Sequence, residues 1–155
     1  MIVDANVLIY ALGAPSPHKE SARVWLSDAL NGEERAGFPL VSLLAFQRVT
    51  TNRRITDNPL TVEQAWSAVE TLLRADQAWI PEPGPRHGDI LGRLLLDSGA
   101  TGNLVTDAHI AALAVEHGTP VCSFDSDFAR FPEVRWINPA HEARKGPAKE
   151  SRARG

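Results

Sequence analysis

The chain has 155 residues, 43% hydrophobic and 23% charged, with a formal charge of −3 and a single cysteine, Cys122. These are the figures of one ordinary globular domain, and at this length folding buries roughly 70% of the unfolded surface without staples. They exclude an intrachain disulfide and a Cys-rich zinc site, and no apolar run approaches the ~18 residues of a bilayer span. The opening stretch carries Asp4 where a signal peptide carries lysine or arginine, so a cytoplasmic protein is expected. The net charge argues against a generic nucleic-acid coat, although an acidic metal site can offset basic patches elsewhere.

In chain order, Met1 to Val3 reads as a buried strand ending at Asp4. After the turn Ala14-Pro15-Ser16-Pro17, the spacing of Ala22, Trp25, Leu26, Ala29 and Leu30 predicts one helical face, closed by Asn31-Gly32. Gly37 to Val41 reads as a second strand feeding a helix from Ser42 to about Asn52. Thr61 reads as the N-cap of a further helix, with Val62, Ala65, Trp66, Val69, Leu72 and Leu73 on its buried face. Ala78 to Ile80 reads as a third strand, stopped by Pro81, Pro83 and Pro85. Leu91, Leu94 and Leu95 mark a helix ended by Ser98-Gly99.

A helix is expected to follow Asp107, with Ile110, Leu113, Ala114 and His117 on one face and Gly118 past its end. Pro120 to Phe124 reads as a strand entering the acidic turn Asp125-Ser126-Asp127, and Arg135 to Ile137 as the last strand. Alternating helices and apolar strands predict an α/β protein whose mainly parallel sheet is covered on both faces. Beyond about Ala140 apolar residues give way to Arg144, Lys145, Lys149, Arg152 and Arg154. The expected organisation is therefore a domain over 1–139 and a flexible basic C-terminal tail over 140–155.

In open α/β sheets the functional crevice lies outside the carboxyl ends of the strands. Asp4 and Asp125 fall at such ends, and the helix beginning near Asp107 opens on the same edge, so Asp4, Asp107, Asp125 and Asp127 are expected to converge. Two carboxylates about 4 Å apart repel by roughly 4 kcal/mol at an effective dielectric near 20. No lysine or arginine lies close in sequence to Asp4 or Asp107, so a hard divalent cation is the natural partner, Mg2+ with Mn2+ as the alternative. Carboxylates with such an ion and no serine or cysteine nucleophile point to phosphodiester hydrolysis.

Taken singly, each residue has a structural reading. Asp4 or Asp107 can cap a helix, and Asp125 and Asp127 can form an Asx turn. His109 reads as a solvated helix residue and Cys122 as an inert buried thiol. Trp25 and Trp66 read as core or interface. Arg48, Arg53 and Arg54 read as a solvated helix end, with weak contact to RNA phosphates as the alternative.

Three segments in order carry a resemblance: Ile2-Val3-Asp4-Ala5-Asn6-Val7-Leu8-Ile9-Tyr10, then Thr106-Asp107-Ala108-His109-Ile110-Ala111-Ala112-Leu113-Ala114, then Ser123-Phe124-Asp125-Ser126-Asp127-Phe128. To about Pro139 the chain resembles the PIN-domain family and, within it, the VapC-type toxins of toxin–antitoxin pairs. The resemblance implies a three-layer α/β/α PIN-like fold with a mainly parallel sheet of four to five strands. It also implies Mg2+- or Mn2+-dependent ribonuclease activity, dimerisation and a small VapB-like antitoxin. By the resemblance Asp4 and Asp107 are metal ligands, Asp125 completes the catalytic cluster, and Asp127 is a further member or a turn former. The sequence departs from the family at Ala45, where a glutamate is usual; no acid lies between Gly37 and Ile55. That departure leaves open a catalytically weak or silent PIN-fold binding module. A haloacid-dehalogenase-type phosphatase is a further alternative, but Asn6 and Leu8 stand where it needs aspartate and threonine.

Overall fold

The computed structural model describes residues 1–142. The elements are β1 (Ile2–Val3), α1 (Ala5–Leu12), α2 (Lys19–Asn31), β2 (Ala36–Gly37), α3 (Leu40–Thr50), α4 (Val62–Leu73), β3 (Ala78–Trp79), α5 (His87–Ser98), α6 (Leu104–Glu116), β4 (Val121–Cys122), β5 (Trp136–Ile137) and α7 (Pro139–Glu142). A short 3-10 helix, Ser126–Arg130, lies between β4 and β5. The five strands form one sheet in the order β3-β2-β1-β4-β5, and every pairing is parallel.

Successive residues of a strand face opposite sides of the sheet, and the core divides accordingly. Val3 and Cys122 join Val7, Leu8, Trp25, Phe38, Phe46, Val69 and Leu72 on the face covered by α1 to α4. Ile2 and Val121 join Ile90, Leu94, Ala108, Ile110 and Phe128 on the face covered by α5 and α6. The expected three-layer α/β/α arrangement follows. Ala108, Ala111, Ala112 and Ala114 are all buried in α6, so small side chains bring this helix close to the sheet. Each large apolar side chain buried in this way stabilises the fold by about 1.5–3 kcal/mol.

Local signals set most boundaries. Thr61 caps α4 by accepting from Gln64 N, while the Gln64 side chain accepts from Thr61 N. Gly99 ends α5 in the left-handed region at φ 62°, where glycine carries no Cβ penalty. A Cβ at Gly37 would lie 3.1 Å from both Ile2 Cδ1 and the Trp79 indole, so glycine lets β1 and β3 side chains meet across β2.

Four expectations need correction. The second strand is Ala36–Gly37, not Gly37 to Val41, because Pro39 lacks an N–H and its carbonyl accepts from Ser42 and Leu43 to start α3. The strand expected over Pro120 to Phe124 keeps only Val121–Cys122, since the Phe124 N–H goes to the Asn6 side chain instead of a strand. On α4 the buried side is Ala65, Val69 and Leu72, whereas Val62 and Trp66 are 64% and 51% exposed. Trp25, by contrast, is core. Ala140, His141 and Glu142 belong to α7, which packs on α2, so the boundary drawn at 139 falls inside a helix. The five basic tail residues lie outside the described residues.

Candidate active site

β1 and β4 are parallel neighbours with Val3 opposite Cys122, so Asp4 and Ser123 leave the sheet at the same edge. The Asp4 N–H still donates to the Cys122 carbonyl at 3.0 Å. Asp4 Oδ1 accepts from Ala5 N at 2.7 Å, which makes it the cap of α1. Its Oδ2 accepts from Asn6 Nδ2 at 2.8 Å and from Ser123 Oγ at 2.7 Å. Ser123 Oγ accepts in turn from Asn6 Nδ2 and from Asp125 N, both at 2.9 Å. The hydroxyl thus uses its one donor and both lone pairs. Asn6 Oδ1 accepts from Phe124 N at 3.1 Å. Two side chains, Asn6 and Ser123, and the Ala5 N–H therefore fix the first carboxylate, and the same two side chains steer the chain out of β4 toward Asp125.

The remaining acids come from two elements. Asp125 Oδ1 accepts from Asp127 N at 2.9 Å, the expected Asx turn, and heads the 3-10 helix. Asp107 is not a helix cap: α6 begins at Leu104, with Asn103 in the capping position, and Asp107 sits at the end of the first turn. One carboxylate oxygen from each of Asp107, Asp125 and Asp127 lies within 4.8 Å of the others. Asp4 stands outside this closest triple but within electrostatic reach of it. Arg130 Nε lies 3.7 Å from Asp127 Oδ1, with both side chains more than half exposed, so the pair is screened and offsets little.

The crowding shows in proton affinity. Burial, then the charges of Asp4, Asp125 and Asp127, push the Asp107 carboxyl up to about 7. Burial also raises Asp4, opposed by its bonds from Ser123 and Ala5. Burial and like charge together disfavour the ionised form of Asp107. Four acids at one sheet edge, with oxygen donors only, suit a hard divalent ion.

Other singled-out residues divide. Arg48, in the last turn of α3, and Arg53 and Arg54 just beyond it are all exposed. Ala45 is half-buried in α3, a helix without an acid. Burial pushes the Cys122 thiol up, so it stays protonated. His109 is not a solvated residue: its Nδ1 lies 3.0 Å from His87 Nε2, and His87 Nδ1 lies 3.3 Å from Glu116 Oε2. Glu116 also accepts from Gly84 N and Arg86 N, so this group ties the start of α5 to α6. Sequence reasoning gives Asn6 and Ser123 only as members of the segments that carry the resemblance, with no role at the site, and does not single out His87. The polar positions at β1 and β4 strand ends were the available signal.

The PIN domain family matches residues 1–134, and the chain belongs to that family. It is 49% identical over 138 residues to Ribonuclease VapC37 of Mycobacterium tuberculosis, spanning 89% of this chain and 96% of that protein. It is 40% identical over 139 residues to VapC ribonuclease Mb2897 of Mycobacterium bovis, spanning 90% and 95%. Its fold is similar to that in the crystal structure of VapBC2 from Rickettsia felis bound to a promoter DNA fragment, with a TM-score of 0.64 at 20% identity over 88% of this chain and 96% of that one. FitAcB from Neisseria gonorrhoeae gives 0.62 at 19% identity, covering 90% and 98%.

Proposed function

We propose that this chain is a divalent-metal-dependent endoribonuclease, the toxin of a type II toxin–antitoxin pair, acting on cytoplasmic RNA. The observation that carries the reading is the carboxylate triple of Asp107, Asp125 and Asp127, with Asp4 beside it at the end of β1 and the Asp107 carboxyl raised to about 7. The names of its VapC relatives support the ribonuclease assignment. The four acids also support catalysis over a silent binding module, and family membership removes the phosphatase alternative.

Asp4 and Asp107 would hold the ion, Mg2+ or Mn2+, and Asp125 and Asp127 would add negative charge to the site. When bound, such an ion neutralises the cluster and activates water against a phosphodiester. The chain's own residues do the rest. Ser123, Asn6 and the Ala5 N–H hold both oxygens of Asp4 in one orientation. Asp107 is the carboxyl able to take up a proton near neutral pH. Asp127 adds an exposed carboxylate beside Asp107 and Asp125. Arg48, Arg53 and Arg54 contact RNA phosphates from the solvent side. The exposed apolar residues Leu40 and Leu44 of α3, with Val62 and Trp66 of α4, support a protein partner: the VapB-like antitoxin or a second copy in a homodimer.

The test is cleavage of structured RNA with and without magnesium. Asp4→Asn and Asp107→Asn should each remove magnesium-dependent cleavage with the fold intact. Full cleavage by either variant would sink the assignment.

A further inference from the structure

Beside the carboxylates lies an aromatic cluster that hydrolysis does not use. The ring centroids of Tyr10 and Phe124 are 5.1 Å apart, those of His18 and Phe124 4.9 Å, and those of Tyr10 and His18 5.1 Å. The chain brings these rings to the acids by short routes. Phe124 immediately precedes Asp125, and its N–H is held by Asn6 Oδ1. Tyr10 stands one helical turn beyond Asn6 on α1, on the same side of the helix. His18 heads α2, yet its side chain makes no capping hydrogen bond; its ring leans on Phe124 instead.

The burial pattern is not that of plain core. Tyr10 and Phe124 are half-buried against the core, while His18 is exposed. The interplanar angles of 39°, 44° and 80° make a tilted cup rather than a closed stack. Tyr10 also lines a cleft of about 450 Å³ with Pro15, Ser16, Ile55 and Asn58, a volume within the usual range for ligand sites. Arg53 and Arg54 immediately precede Ile55 in the chain.

We propose that Tyr10, His18 and Phe124 form the subsite that takes an unstacked nucleobase of single-stranded RNA next to the scissile phosphate, with the strand continuing into the adjoining cleft. This rests on the ribonuclease reading and deepens it by assigning the side chains that receive the base beside the carboxylates. Rings already held by packing lose little freedom when a base stacks on them. A base paired in a duplex keeps its faces covered and cannot enter.

Binding is measured by fluorescence anisotropy on an Asp107→Asn background, which leaves RNA uncut. The probes are a random-sequence single-stranded RNA pool, the same pool annealed to its complement, and an abasic oligomer of equal length. His18→Ala, at an exposed position, should weaken single-strand binding about tenfold, the scale of one lost stacking contact. Duplex and abasic binding should not change, and His18→Phe should restore the affinity. Phe124→Leu is a second variant with the same expected selectivity. Unchanged single-strand binding in both variants, or equal loss for strand and duplex, overturns the subsite. If the unaltered protein neither cleaves nor binds any RNA, the ribonuclease reading itself fails. Cleavage by the unaltered protein with normal single-strand binding by both variants removes the subsite alone.

Discussion

Ser123 Oγ donates to Asp4 Oδ2 at 2.7 Å across 119 residues of sequence, joining the carboxyl ends of β4 and β1 through the first of the proposed site carboxylates. Ser123→Ala removes that donor and leaves Asn6 Nδ2 and Asp125 N short of an acceptor in a largely buried site. The expected cost is about 1–3 kcal/mol, read as a fall in Tm of roughly 3 °C per kcal/mol. Cleavage should drop by at least about tenfold because Asp4 loses its orientation. Ser123→Ala and Asn6→Ala should combine non-additively, since both act on one oxygen. Additive losses in Tm would mean that the two bonds are independent.

Asp107 makes stability pH-dependent in metal-free buffer. Its folded carboxyl is raised to about 7, above its value in the unfolded chain. Between about pH 4 and 7 the folded protein therefore binds a proton that the unfolded chain has released, and stability falls as pH rises through that window. Asp4 is shifted in the same direction. With chelator present, Tm should fall from pH 5 to pH 8, and Asp107→Asn should flatten the profile and raise Tm at pH 8. Identical slopes for the two proteins count against the charge cluster.

Ala45 offers a gain-of-ligand experiment. Hard cations bind more tightly as ligand charge and number rise, and Ala45 stands on α3 where the family usually carries a glutamate. Ala45→Glu should lower the magnesium concentration needed for half-maximal cleavage, and the unaltered protein should need less manganese than magnesium. Magnesium titrations that superimpose would show that Asp127 already fills the gap.

The basic residues after Glu142 give a salt prediction. Truncation there should weaken RNA binding mostly at low salt and flatten the slope of log affinity against log salt. Cleavage at saturating RNA should change little. An unchanged slope means that these charges do not meet the phosphates.

The five strands, the helices α2 to α6 and their order are legible in the sequence, whereas α1 and α7 are not. Apolar periodicity, the Thr61 cap and the Ser98-Gly99 stop are local signals, and a parallel α/β chain brings its strand ends to one edge whatever the loops do. Ending β2 at Gly37 depended on Pro39 opening α3, and ending β4 at Cys122 depended on a side chain from α1 taking the Phe124 N–H. The exposure of Trp66, the Ser123–Asn6–Asp4 lattice and the His87–His109 contact were also decided only in the folded molecule. Each is an interaction between segments remote in the chain, and periodicity says which side of a helix is apolar but not which neighbour, if any, covers it.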